Sequence, residues 1–216
     1  STFILGMLLA LMFNSDRLQG KGLWRALLIL PYAVPGFITA LVWMSMFNPG
    51  FGLINRMTGL GVDWYTSPLW AKMSILIANL WLGFPYMFIV TTGALQSIPN
   101  DVKEAAKIDG ASQFSTIKNI IMPLLLVSVG PLLVSSFAFN FNNFSLIWLM
   151  TKGGPFLAGN TSLGETDLLI TYAFRQAFGA SADFGFASAV SMLIFVIVAL
   201  MSTIGFARTK AREDVN

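Results

Sequence analysis

Long apolar runs alternate with short polar segments along this chain. Leu23 to Phe47, Ala71 to Leu95, Leu124 to Met150 and Phe184 to Phe206 are each long enough to cross a bilayer, for which about 20 apolar residues suffice. Ser1 to Phe13 is equally apolar but shorter, and it lacks the initiating Met, basic n-region and small-residue cleavage site of a signal peptide. The expectation is a partial helix over 1–13 in a fragment of a longer chain. Four spans and a partial helix predict an all-α integral membrane protein, a polytopic helical bundle forming a single transmembrane domain over 1–216. Pro31 and Pro35 predict a kink in the first span, where neighbouring helices re-satisfy the freed carbonyls. Between the spans, Asn48 to Pro68 reads as a loop with an interfacial aromatic at Asp63-Trp64. Thr151 to Asp183 reads as a polar connection whose amphipathic stretch, Asp167 to Phe178, lies on the membrane surface.

Gln96 to Pro123 is the longest strongly charged interior segment, and its position between two spans places it in water. Pro99 suits a first helical turn, Asp101 and Glu104 put negative charge near the positive pole, and Gly110 supplies a left-handed terminus. A short helix from about Pro99 to Asp109 is therefore predicted. Ala105 and Ala106 allow another surface to approach the backbone, and Ser112 is positioned to cap a second helix running through Phe114 and Ile117. Charge and periodicity alone favour a solvated amphipathic connector at the membrane interface.

Composition narrows the class further. The chain has 216 residues, 56% hydrophobic and 11% charged, against about 25% charged in a soluble domain. Its mean hydropathy is +0.72. It has no Cys and no His, which removes disulfides, thiolate chemistry, the commonest metal ligand and the usual neutral-pH base, so neither a metal nor a cofactor is expected. The net charge of +3 is scattered among span-flanking loops and makes no nucleic-acid-binding face. Cytoplasmic loops carry an excess of Lys and Arg. Nine of the 13 (Arg17, Lys21, Arg25, Lys103, Lys107, Lys118, Arg208, Lys210, Arg212) lie on one side, and Arg56, Lys72, Lys152 and Arg175 on the other. This places Ser112 and Lys210 in the cytoplasm and Thr58 and Thr161 outside.

Two spans carry polar stripes. Ser136, Phe139, Asn140 and Asn143 fall at i, i+3, i+4 and i+7, with Asn142 pointing elsewhere, and Asn79, Leu82, Gly83 and Tyr86 repeat the spacing. Interhelical packing accounts for any single one of these residues. As a group they suit a cavity in which aromatic faces and amides meet a sugar. No Asp, Glu, Lys or Arg sits in the middle of a span, whereas ion-coupled carriers usually keep one, so the solute is expected to be neutral. The phosphate-binding loop Gly-x-x-x-x-Gly-Lys-Ser/Thr is absent from this sequence, so energy is expected from a partner.

The polar segment also resembles a family signature through Glu104, Ala105, Ala106, Gly110, Ile120 and Pro123, with Met122 where the family usually has Leu. It is similar to the cytoplasmic loop of bacterial ABC-importer permeases. The runs Leu30-Pro-Tyr-Ala-Val-Pro35, Trp81-Leu-Gly-Phe-Pro-Tyr86 and Ser136 to Phe144, with Gly153-Gly-Pro155 beyond, resemble the membrane subunits of maltose/maltodextrin importers from Gly20 to Phe206. The resemblance implies a type I ABC importer transmembrane domain and an inner-membrane location. It implies as partners a second permease subunit, a dimer of ATPase subunits, a periplasmic sugar-binding protein, membrane lipid and a maltose- or maltodextrin-type sugar. It also implies that Asn79, Leu82, Gly83, Tyr86, Ser136, Phe139, Asn140 and Asn143 contact the sugar, and that Glu104, Ala105, Ala106, Gly110, Ala111, Ser112 and Phe114 couple to the ATPase. Members of that group usually have further N-terminal spans and a large periplasmic insertion before this region.

Overall fold

The computed structural model describes residues 1–14, 20–156, 163–180 and 182–213, with side chains described up to 209. Arg17 and Thr161, and the side chains of Lys210 and Arg212, lie outside the described residues. Helices make up almost all of the regular structure, in the order α1 (Thr2–Phe13), α2 (Lys21–Ile29), α3 (Gly36–Met46), α4 (Leu53–Thr58), α5 (Pro68–Ser97), α6 (Asn100–Ile108), α7 (Gln113–Thr116), α8 (Met122–Phe141), α9 (Phe144–Met150), α10 (Leu169–Phe178) and α11 (Phe184–Glu213). The only pairing of extended backbone among the described residues is an isolated bridge between Phe156 and Gly164.

Three continuous elements are long and apolar enough to cross a membrane: Pro68–Ser97, Gln113–Met150 and Phe184–Thr209. The first apolar run behaves differently from the kinked span expected over 23–47. Pro31 lies within a 3₁₀ turn, Leu30–Ala33, Pro35 caps the next helix, and the helical pieces Lys21–Ala33 and Gly36–Met46 meet at 92°. Two prolines four residues apart remove two backbone donors from adjacent turns, and the helix breaks rather than bends.

The chain divides into two compact units. The first comprises Ser1–Tyr32, Gly83–Ser136 and Ser202–Asn216. Its core is Phe88, Leu95, Ile98, Ile121, Leu125 and Val129 around Ala10. Small residues let its helices touch: a Cβ on Gly130 would fall 2.6 Å from Thr209 Cγ2, and one on Gly205 would fall 2.6 Å from Val134 Cγ2. Such close approach drives helix association where lipid removes the hydrophobic incentive. At the end of α1, the Arg25 guanidinium donates to the Phe13 carbonyl (3.3 Å), satisfying one of the acceptors that every helix terminus leaves open.

The second unit comprises Ala33–Leu82 and Phe137–Met201, and it packs around Phe47, Trp64, Ile75, Leu146, Ile147 and Met150. Trp64 is a core residue here, not the interfacial aromatic expected from its neighbour Asp63. Its ring lies 4.7 Å from Phe47 and 5.1 Å from Trp70, and its indole N–H donates to Asn55 Oδ1 (2.8 Å). The loop around it is knit by the Tyr65 hydroxyl, which donates to the Met44 carbonyl, and by the Asn55 amide, which donates to the Val62 carbonyl (2.7 Å). Burial raises the Tyr65 phenol to about 12.

Candidate functional site

The polar segment of the first unit forms a helix, a glycine turn and a second helix. Pro99 stands at the N-cap of α6, with Asp101 in its first turn and Lys107 in its last, both signs matching the helix dipole. Gly110 adopts φ +75°, its N–H bonds the Lys107 carbonyl (3.1 Å), and the Ala111 N–H bonds the Ala106 carbonyl (2.9 Å). That pair of bonds is the Schellman closure, and it requires left-handed backbone at Gly110. Ser112 then caps α7, its Oγ accepting from the Ser115 N–H (3.2 Å).

Within this knob the candidate coupling residues separate by exposure. Ala106 is buried and supports the turn, whereas Glu104, Ala105, Gly110, Ser112 and Phe114 face outward and Ala111 is half-buried. Phe114 is 75% exposed, and Ile108 beside the turn is 86% exposed. Ile108 escaped the sequence reading; its signal is a lone branched apolar residue at the end of a charged helix. Two large apolar groups standing out of a charged segment between spans suit a partner surface better than water or lipid.

In the second unit the apolar element Gln113–Met150 is interrupted. α8 ends at Phe141, the Asn142 and Asn143 N–H groups bond back to Phe139 and Asn140 (both 3.3 Å), and Asn143 takes φ −76°, ψ 70°. Asn143 caps α9, its Oδ1 accepting from the Leu146 N–H (3.4 Å), while its Nδ2 donates to Asn79 Oδ1 of α5 (3.4 Å). The stripe therefore does not reach Asn143 by continuous helical phase; a bond to another helix brings it there. Asn79, Leu82 and Asn140 are half-buried, and Phe139 is 70% exposed. The buried Oδ1 of Asn142 has no partner among the described residues. Interrupted helices at membrane depth are where helix ends and unwound backbone become available to a solute.

The first unit holds the remaining candidates. Tyr86 stacks on Tyr32 of the proline break, with ring centroids 6.2 Å apart and planes at 26°, and Ser136 is half-buried. Tyr32 is a second aromatic that the periodicity of α5 alone does not find. Gly83 is filled from its own side: a Cβ there would lie 2.6 Å from Thr2 Cγ2, so its size is accounted for by contact with α1.

Beyond α9 the second unit carries a folded shelf. Asp167, with its side chain only 2% exposed, accepts from both Arg175 terminal nitrogens, from Thr171 Oγ1 (2.9 Å) and from the Gly164 N–H (2.7 Å). Arg175 also donates to the Lys152 carbonyl (3.0 Å) and lies 4.7 Å over the Phe156 ring. Lys72 and Glu165 add an ion pair at 2.5 Å.

With this geometry in hand, known proteins place the chain. The family model described as "Binding-protein-dependent transport system inner membrane component" matches residues 2–209. The chain belongs to that family. Among curated relatives, the maltose/maltodextrin transport system permease protein MalF of Vibrio parahaemolyticus serotype O3:K6 (strain RIMD 2210633) is 47% identical over 99% of this chain and 42% of its own length. MalF of Escherichia coli (strain K12) is 44% identical over 99% of this chain and 43% of its own length. This chain thus spans less than half of these relatives. Among solved structures, a bacterial ABC transporter importing the acidic polysaccharide alginate superposes with a TM-score of 0.76 at 21% identity, over 97% of this chain and 72% of that one. The bacterial alginate ABC transporter in complex with an alginate pentasaccharide-bound periplasmic protein superposes with a TM-score of 0.78 at 25% identity, over 94% and 70%. Membership makes the knob and the broken helix features of a multi-pass membrane component of a transport system.

Proposed function

We propose that this chain is the translocating core of a permease subunit in an ATP-driven importer that carries maltose/maltodextrin-type sugars into the cytoplasm. What carries the reading is identity of 44–47% to MalF proteins along 99% of the chain. The charge-free polar break at Asn140–Asn143 supports it, because neutral hydroxyls pair with amides and need no counter-ion. Asn79, Leu82, Gly83, Tyr86, Ser136, Phe139, Asn140 and Asn143 are the proposed sugar contacts. The knob formed by Glu104, Ala105, Ala106, Gly110, Ala111, Ser112 and Phe114, joined by Ile108, docks a MalK-like ATPase dimer, which hydrolyses ATP on this subunit's behalf. A MalG-like second permease subunit and a periplasmic sugar-binding protein complete the assembly, embedded in the inner-membrane lipid. The knob and C-terminus face the cytoplasm.

Uptake of labelled maltose by the full-length protein, with and without the ATPase partner, tests this. ATP-dependent accumulation is expected. Uptake that persists without the ATPase indicates a secondary carrier or channel, and ATP-dependent uptake of a different neutral solute keeps the permease while rejecting the sugar. Orientation is read separately in intact cells: a cysteine at Ser112 is expected to be shielded from an impermeant thiol reagent, and one at Thr58 labelled. The reverse pattern sinks the docking argument.

A further inference from the structure

The second unit contains five aromatic rings in unbroken contact. Phe144, the residue after the Asn143 cap, stacks on Trp148 with centroids 5.4 Å apart and planes at 16°. Phe174 of α10 touches both, at 4.9 and 4.8 Å. Phe174 meets Phe178 one turn later at 4.9 Å, and Phe178 meets Phe184, the first residue of α11, at 5.9 Å. The far end of the series is the more open: Phe144 and Trp148 are half-buried, while Phe178 is 69% and Phe184 58% exposed.

A packing cluster closes over its outermost members; this one opens as it leaves the polar break. Aromatic rings present flat apolar faces, and the C–H face of a pyranose is the flat surface that fits them while its hydroxyls stay in water. The ladder starts at the asparagine break, and Asp183 and Gln176 supply polar groups along the same segment. A linear chain of neutral sugar rings offers such a C–H face at successive units and can follow the ladder ring by ring. We infer that Phe144, Trp148, Phe174, Phe178 and Phe184 form an accessory saccharide track, which receives the glucosyl units of a linear oligosaccharide that extend beyond the Asn140–Asn143 break. The inference rests on the sugar reading above and adds selection for chain length.

The test uses the full-length protein, assembled with its partners in proteoliposomes, taking up maltose or maltotetraose. Phe178→Leu and Phe184→Leu keep apolar volume for packing or lipid contact but remove the flat face. The expected result is a fall of about three- to tenfold in the preference for maltotetraose over maltose, the range one lost aromatic contact supplies. Phe178→Tyr, which keeps the ring, is expected to retain the preference. An unchanged preference in both Leu variants overturns the track, and so does an equal loss on both sugars, which marks the rings as membrane or packing groups. Uptake of neither sugar by the unaltered importer removes the sugar reading itself, and the track with it.

Discussion

The knob at 99–123 and the break at 139–150 are both interruptions of helix between apolar runs, and they are built in opposite ways. In the knob the hydrogen bonds that shape the turn are short-range, with the Gly110 turn closing on residues three to five back and Ser112 capping a residue three ahead, while Ile121 at its end joins the core of the first unit. In the break the deciding bond, Asn143 to Asn79, joins residues 64 apart, and its outer support joins Arg175 to Asp167 and Lys152. A locally closed element keeps its shape while a partner pushes on it. An element held from another helix changes when that helix moves. The comparison thus fits the roles proposed for the two regions, a rigid lever and a responsive site.

The largest expected effect lies in the support of the break. Asp167→Ala leaves Arg175, whose side chain is 17% exposed, with only the Lys152 carbonyl and the Phe156 ring of the contacts described above, and breaking one side of such a pair costs at most about 3–5 kcal/mol. Thermal unfolding in detergent is expected to shift sharply, with the ATPase docking proposed for the knob lost only as a consequence of unfolding. Little change in melting would mean that α9 and α10 stand without the pair, and the contrast between local and remote support would weaken.

Next comes Gly110→Val. A β-branched residue in left-handed backbone costs roughly 1–3 kcal/mol, and nothing beyond the knob shares the strain. Stimulation of the ATPase is expected to fall while insertion and sugar binding persist. Normal stimulation would leave the knob as an ordinary solvated connector.

Asparagine substitutions sharpen the other side. Asn140→Leu removes a hydroxyl partner, and an unmade buried hydrogen bond costs about 1–3 kcal/mol, or roughly five- to over a hundredfold in sugar affinity. Asn142→Leu is expected to matter less for binding, since Asn142 lies off the stripe of Ser136, Phe139 and Asn140. Sugar binding at matched expression separates them; if Asn142→Leu is the variant that loses sugar, the proposed contacts are misassigned.

The smallest effect belongs to a third, locally closed turn. Asp63 accepts from Thr66 Oγ1 (2.5 Å) and from the Tyr65 and Thr66 N–H groups (3.1 and 3.2 Å), and the hydroxyl bond from Thr66, followed by the backbone bond from Tyr65, holds its carboxyl below the usual carboxylate range. A depressed folded pKa gives stability that is present above the unfolded value and lost as pH falls through the folded one. Acidification below the usual carboxylate range is therefore expected to loosen 63–66, read by amide exchange, and Asp63→Asn is expected to abolish that dependence.

Several features could be read directly from residue order. The apolar runs, the Pro99 start, the Gly110 turn and the Ser112 cap need only neighbours within a few positions, so propensity and capping chemistry determine them before the chain folds. The polar residues at 79 and 140–143 were visible as a pattern for the same reason. Tertiary structure decided the rest. The paired prolines became a 92° break rather than a kink, and Trp64 moved from the expected interface into the core. Asn143 joined Asn79 by an interhelical bond instead of helical phase, and Asp167 found Arg175. Each of these outcomes depends on which surface a group meets after packing. An amide or a carboxylate carries the same donors and acceptors wherever it lies, and only the fold determines which of them are satisfied from within and which remain for a partner or a solute.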